Sequence, residues 1–261
     1  MFEKSIYADA VQTLRHLGSA VIIVAALLTI LPRIFQSYAN MGAAMIWGLL
    51  MFYAFQYVLF GRGFDHLKGM SKVERKARAV KMNKGLGGFL AIVCLLAMIS
   101  VVLVFIGIFS FDLERFRNSE GSLFFIVLLF ALGCSLIVHL LLGTWLPAKV
   151  AAQRSGFGFA LARAPSQGWY IASRLVVCLL PVFLLSGVVL FGVSLLAALF
   201  ITATSPWQGE AVLALTEFLC FALVGFAFII ITVILSRAYM RADYSCDAGE
   251  TLAIPYIAAE E

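Results

Sequence analysis

Six stretches of this chain, residues 17–37, 42–60, 86–110, 122–145, 173–204 and 211–236, are apolar and almost free of charge. Crossing the hydrocarbon core of a bilayer takes about 20 such residues in a helix. A charge at the centre of such a segment costs about 2.5–3.5 kcal/mol. Lipid offers the backbone no hydrogen-bond partner, so each stretch must be a helix or a strand of a closed barrel. Barrel strands are about 10 residues long and alternate strictly. Runs such as "FLAIVCLLAMISVVLVFIGIF" are longer and apolar on every side, which predicts helices. With 63% hydrophobic and 13% charged residues, the chain could not coat a water-soluble fold, which typically carries about 25% charge. The expected fold is an all-α integral membrane protein, a six-helix transmembrane bundle.

The few charges are sorted. Sixteen of the 19 Lys and Arg fall on the N-terminus, the 61–85 loop, the 146–174 segment and the C-terminal flank. The alternate loops hold Arg33, Arg115 and Arg117. Short cytoplasmic loops carry the excess of Lys and Arg, so both termini and the basic loop are expected in the cytoplasm, with the chain in a bacterial inner membrane. A cleaved signal peptide within residues 1–39 fits less well, because its apolar core exceeds the usual length of about 7–15 residues.

The basic loop, "FDHLKGMSKVERKARAVKMNKG", contains an S-x-x-E capping box at Ser71 and Glu74. Val73, Ala77 and Val80 follow at helical spacing. A short helix on the membrane surface is expected, with Lys72, Arg75, Lys76, Arg78 and Lys81 among anionic headgroups, each worth about 1 kcal/mol there. The loop's single aromatic, Phe64, argues against nucleic acid, whose binding domains present a basic face with stacking aromatics. Residues 1–16 place Ile6, Ala10 and Leu14 on one face, as a helix in the membrane plane does. A second interfacial segment is expected over 149–170, where Gly156, Gly158 and Pro165 predict a bent piece, not one continuous helix. The six spans and their loops occupy 17–241, and 242–261 form a short tail. Short outer loops predict hairpins of spans 1–2, 3–4 and 5–6. Span five, with Pro181 inside, is long enough to require tilt or a kink.

Ionisable residues inside spans mark functional positions by default. Glu217 is the first candidate, as a proton or cation site or as a partner for Arg33 on the same side. His139 reads better as a packing histidine than as a ligand. Cys94, Cys134, Cys178 and Cys220 fall one each in the last four spans and Cys246 in the tail, without C-x-x-C spacing, and read as small hydrophobes. Neither a metal-ligand cluster nor a phosphate loop or catalytic constellation is present in the motifs, so no cofactor and no enzymatic activity are expected.

The stretch "TWLPAKVAAQRSGFGFALARAPSQGWYIASRLVVCLLP" resembles a bacterial six-span inner-membrane family. That family includes the membrane domain of glycerophosphoryl diester phosphodiesterases and YciC-like proteins. Leu146-Pro147, Ala160-Leu161-Ala162-Arg163, Gly168-Trp169 and Arg174 take the family's places, and Ser236, Ala238, Tyr239 and Arg241 resemble its closing motif. Ala164 stands where the family usually has Ser. The resemblance implies a helical membrane domain without assigned catalytic residues, and the phosphodiesterase barrel attached in some relatives is absent here. A scaffold or accessory component contacting lipids, a partner membrane protein or a second copy of itself is expected. The alternative is a small permease with Glu217 and Pro181 near its path. A lipid-modifying enzyme beside 149–170 ranks third.

Overall fold

The computed structural model describes residues 5–34, 39–61, 71, 73, 80, 85–110, 133, 136–151, 157–200 and 206–246. Among them there is no strand; the secondary structure is helical throughout. We number the helices α1 (Ile6–Ile34), α2 (Ala39–Phe60), α3 (Leu86–Ser110), α4 (Trp145–Val150), α5 (Phe157–Phe200) and α6 (Pro206–Cys246). A further helical segment, 136–142, precedes α4. Three stretches, Ile6–Ile30, Phe157–Val193 and Gly209–Ala242, are long and apolar enough to cross a membrane.

Local chemistry accounts for the helix ends. Ser5 opens α1, its side-chain oxygen accepting from the Tyr7 amide at 3.3 Å, which satisfies a donor the first turn leaves open. Gly61 closes α2 at φ +61° and donates its amide to the Tyr57 carbonyl at 2.8 Å. That left-handed conformation after a helix suits glycine because it has no Cβ.

Two expectations are revised. Residues 6–34 form a single helix, with no break where the surface helix was expected to give way to the first span. Within 149–170, α4 ends at Val150 and α5 starts at Phe157, so the segment is not one continuous helix. The breaks expected at Gly158 and Pro165 are not there, since α5 runs through both and through Pro181; Gly156 lies outside the described residues. Pro165 lies in the third turn, where the lost amide and the ring clash fall on one carbonyl only. The Ser166 hydroxyl bonds the nearby Arg163 carbonyl at 2.9 Å.

The core gathers on α6. Its residues 232–240 are buried without interruption, Thr232, Ser236 and Arg237 included. A helix covered on all sides must sit at the centre of a bundle; α1, α2, α4 and α5 all pack on it. α1 and α6 run antiparallel. At their crossing, a Cβ on Gly225 would lie 2.7 Å from Val21 Cγ1 and 3.1 Å from the Trp47 ring. Trp47 of α2 tilts against Phe228 at 5.2 Å, and Phe89 of α3 meets Phe52 and Phe55 edge-on at 5.2 and 5.9 Å. A second close approach lies before α4, where a Cβ on Gly143 would meet Leu235 Cδ2 at 2.6 Å.

α5 is covered on one side only. Between Val176 and Leu195, Cys178 and Val182 are buried, whereas Val177, Leu184, Val188 and Phe191 are more than half exposed. Contiguous apolar surface on this scale marks contact with a membrane or a partner.

Candidate functional site

Two polar junctions clasp α1 to α6, one at each end of the pair. At the first, Arg237 donates through Nε to Asp9 Oδ2 at 3.1 Å, and through Nη2 to the same oxygen. The Arg237 side chain is 8% exposed and that of Asp9 24%. At the second, Arg33 Nη1 lies 2.7 Å from Glu217 Oε2, both side chains more than a third exposed. Arg33 also donates to the Thr29 carbonyl one turn back. At 1.5 Å per residue, the junctions stand about 36 Å apart along α1 and about 30 Å apart along α6. The hydrocarbon core of a bilayer is about 30 Å thick. From Leu17 to Pro32 and from Phe218 to Ser236 neither helix carries a charge.

The Asp9 end is the richer of the two. Tyr7 donates its hydroxyl to the Cys178 carbonyl at 2.9 Å, tying α1 to α5. Arg163 of α5 lies over the Tyr239 ring, its Cζ 5.2 Å from the centroid. Tyr170 of α5 is flanked by two guanidinium groups. Arg241 of α6 has its Cζ 4.5 Å from the ring centroid, and Arg174, one turn along α5, 5.9 Å. Both arginines are exposed. Guanidinium over an aromatic face is attractive within about 6 Å, so the rings hold cations in place on a surface otherwise apolar. Two hydroxyls at this end, those of Thr144 and Ser236, are buried without a hydrogen-bond partner among the described residues.

Of the residues that the sequence singles out, Arg33 and Glu217 come together as a pair. His139 lies half-buried in the 136–142 segment, its carbonyl accepting from the Gly143 amide at 2.9 Å. Lys72, Arg75, Lys76, Arg78 and Lys81 lie outside the described residues. In that loop Val73 and Val80 are helical and strongly exposed. The Asp9–Arg237 pair is not foreseen in the sequence, although a carboxylate and a guanidinium stand at the same end of two apolar helices. Among the described residues, no group of three His, Cys, Asp or Glu side chains could hold a metal ion.

The architecture defines a class: among the described residues, an all-helical chain with three helices long and apolar enough to cross a membrane. Searches against protein-family models, curated proteins and solved structures give no match to this chain.

Proposed function

We propose that this chain is a multi-pass protein of the bacterial inner membrane, a six-helix bundle with both termini in the cytoplasm. Its role is non-enzymatic, that of a scaffold or accessory component contacting lipids or a partner membrane protein. The six-span family that it resembles at 144–180 fits this reading. The meeting of the start of α1 with the end of α6 at Asp9–Arg237 supports termini on one side. The excess of Lys and Arg on that set of flanks supports the cytoplasmic side.

The observation that carries the role is the one-sided burial of α5. Val176, Leu180, Leu184, Val188, Phe191 and Leu195 are exposed along about five turns of it, and a surface of that kind is stable only against acyl chains or another apolar helix. A permease with Glu217 and Pro181 near its path is favoured less, because Glu217 is already engaged by Arg33.

The test is reconstitution in nanodiscs followed by mass spectrometry of the proteins and lipids that remain bound, in the wild type and in Leu184→Asn and Val188→Asn variants. The proposal expects a stoichiometric companion, a lipid or a membrane protein, that is weakened by the α5 substitutions. A chain that binds neither, or whose companions ignore both substitutions, contradicts it.

A further inference from the structure

We propose that residues 252–259 of this chain dock on the apolar ridge that Phe157, Leu161, Pro165 and Trp169 form along the first turns of α5, so that the C-terminal tail covers it. This goes beyond the scaffold reading and does not depend on it.

The ridge is set by spacing. Its four residues recur at every fourth position, and such rows are the ridges by which helices pack. Phe157 is 50% exposed, Leu161 37% and Trp169 83%, and Pro165 is exposed as well. Ala160, Gln167 and Ile171 are buried in the bundle, so this part of α5 is held in place while the ridge is left uncovered. It extends about 18 Å along the helix. A contiguous row of large apolar side chains marks a contact surface.

The occupant follows from the chain that leaves beside the ridge. Arg163 of α5 lies over Tyr239 of α6, and Tyr170, next to Trp169, meets Arg241. α6 ends at Cys246, about 8 Å beyond Arg241. Residues 247–261 follow and lie outside the described residues. Their sequence, "DAGETLAIPYIAAEE", has one apolar run, 252–259, with Asp247 and Glu250 before it and Glu260 and Glu261 after it. Pro255 disfavours a helix through the run. Extended, it spans about 26 Å, enough to cover the ridge, and the residues before it reach about 16 Å. Charge agrees with this placement. No Lys or Arg follows Arg241, whereas between Glu120 and Glu210 the chain has Lys149, Arg154, Arg163 and Arg174 and no acid. Arg174 lies past the Trp169 end of the ridge. Lys149 belongs to α4, whose Trp145 meets the Phe157 ring edge-on at 5.8 Å. A tail running from Cys246 towards Phe157 therefore brings acidic residues near a cation at each end. Being tethered, it competes at an effective concentration on the order of millimolar, ahead of more dilute free partners.

The experiment places the photo-crosslinker p-benzoylphenylalanine at Leu161, or in a second variant at Trp169, of the full chain in phosphatidylglycerol nanodiscs. Isotope-labelled and unlabelled copies are mixed, and crosslinked peptides are identified by mass spectrometry. Trypsin releases residues 242–261 as one peptide, since no Lys or Arg follows Arg241. The proposal expects that peptide as the principal crosslink, from within one copy, and no such crosslink from the same probe at Leu184. Ile254→Asp with Ile257→Asp should lower its yield about tenfold, because each isoleucine moved from an apolar contact to water costs about that factor. Crosslinks chiefly to lipid would assign the ridge to the bilayer surface, those joining labelled to unlabelled copies to a second copy, and those to another protein to a partner. Each of these overturns the proposal. An undiminished yield from the doubly substituted tail, or no crosslink from either ridge position, overturns it too. None of these results bears on companions held by residues 176–195 of α5, so the scaffold reading stands or falls separately.

Discussion

Arg237 and Asp9 are separated by most of the chain, yet two guanidinium nitrogens of the one bond a single carboxylate oxygen of the other. The pair fixes the start of α1 against the buried end of α6 and sets the antiparallel register that continues through Val21–Gly225 to Arg33–Glu217. Arg237 is buried, so the contact is not a surface ornament.

The first prediction concerns this pair. Breaking a buried ion pair from one side leaves an uncompensated charge and costs about 3–5 kcal/mol, whereas replacing both partners by apolar groups is often close to neutral. Asp9 retains some exposure, which puts Asp9→Asn at the lower end, about 3 kcal/mol. Asp9→Leu with Arg237→Met should recover most of that loss. Thermal unfolding in detergent, read by circular dichroism for the single and double variants, measures the difference. Equal losses in the two would mean that the cost does not come from a guanidinium left without its carboxylate.

The Arg33–Glu217 contact should behave differently. Both side chains are more than a third exposed, and exposed pairs contribute about 0.2–1 kcal/mol. A double-mutant cycle of Arg33→Gln and Glu217→Gln is therefore expected to give a coupling below about 1 kcal/mol. A coupling several times larger would show that the junction lies within the hydrocarbon and not at its edge.

The α1–α6 crossing depends on the absence of a side chain at Gly225. A Cβ there would sit 2.7 Å from Val21 Cγ1, and over-packing a closed core costs about 1–3 kcal/mol. Gly225→Leu should lower the unfolding temperature and broaden the gel-filtration profile. Gly187→Ala, where the added Cβ meets nothing within 4 Å, serves as the control and should leave both unchanged or slightly raise stability.

These contacts separate what the sequence discloses from what it does not. Uninterrupted apolar runs disclose where α2, α3, α5 and α6 lie, because lipid leaves the backbone few conformations. The same runs hide which helices touch. "FALVGFAFIIITVIL" is apolar on every side, so no face marks the crossing at Gly225 or the central place of α6. The continuity of α1 is masked by Asp9 and Gln12, which read as part of the polar side of a surface helix. In the structure Asp9 is answered from α6. The helix through Pro165 is hidden for another reason: a proline removes one bond, and a neighbouring segment long enough to be helical absorbs that loss. The Arg33–Glu217 pair is half legible, since both charges fall at the same end of apolar runs and opposite charges in lipid seek each other.

Ser236 provides the last prediction, and its sign runs against intuition. Most hydroxyls on these helices return their proton to the carbonyl one turn back: Thr232 bonds Phe228 at 2.8 Å and Ser186 bonds Val182 at 2.8 Å. Ser236, one turn beyond Thr232 on the central helix, is fully buried and its oxygen has no hydrogen-bond partner among the described residues. A buried polar group left unsatisfied costs about 1–3 kcal/mol, and alanine would remove it without opening a sizeable cavity. Ser236→Ala should therefore keep or raise the unfolding temperature, while Thr232→Ala, which deletes a methyl group and a satisfied hydroxyl, should lower it. A marked loss of stability in Ser236→Ala would mean that the hydroxyl has a partner in the membrane-embedded protein, and the adjoining Arg237–Asp9 junction would then be the first place to look for it.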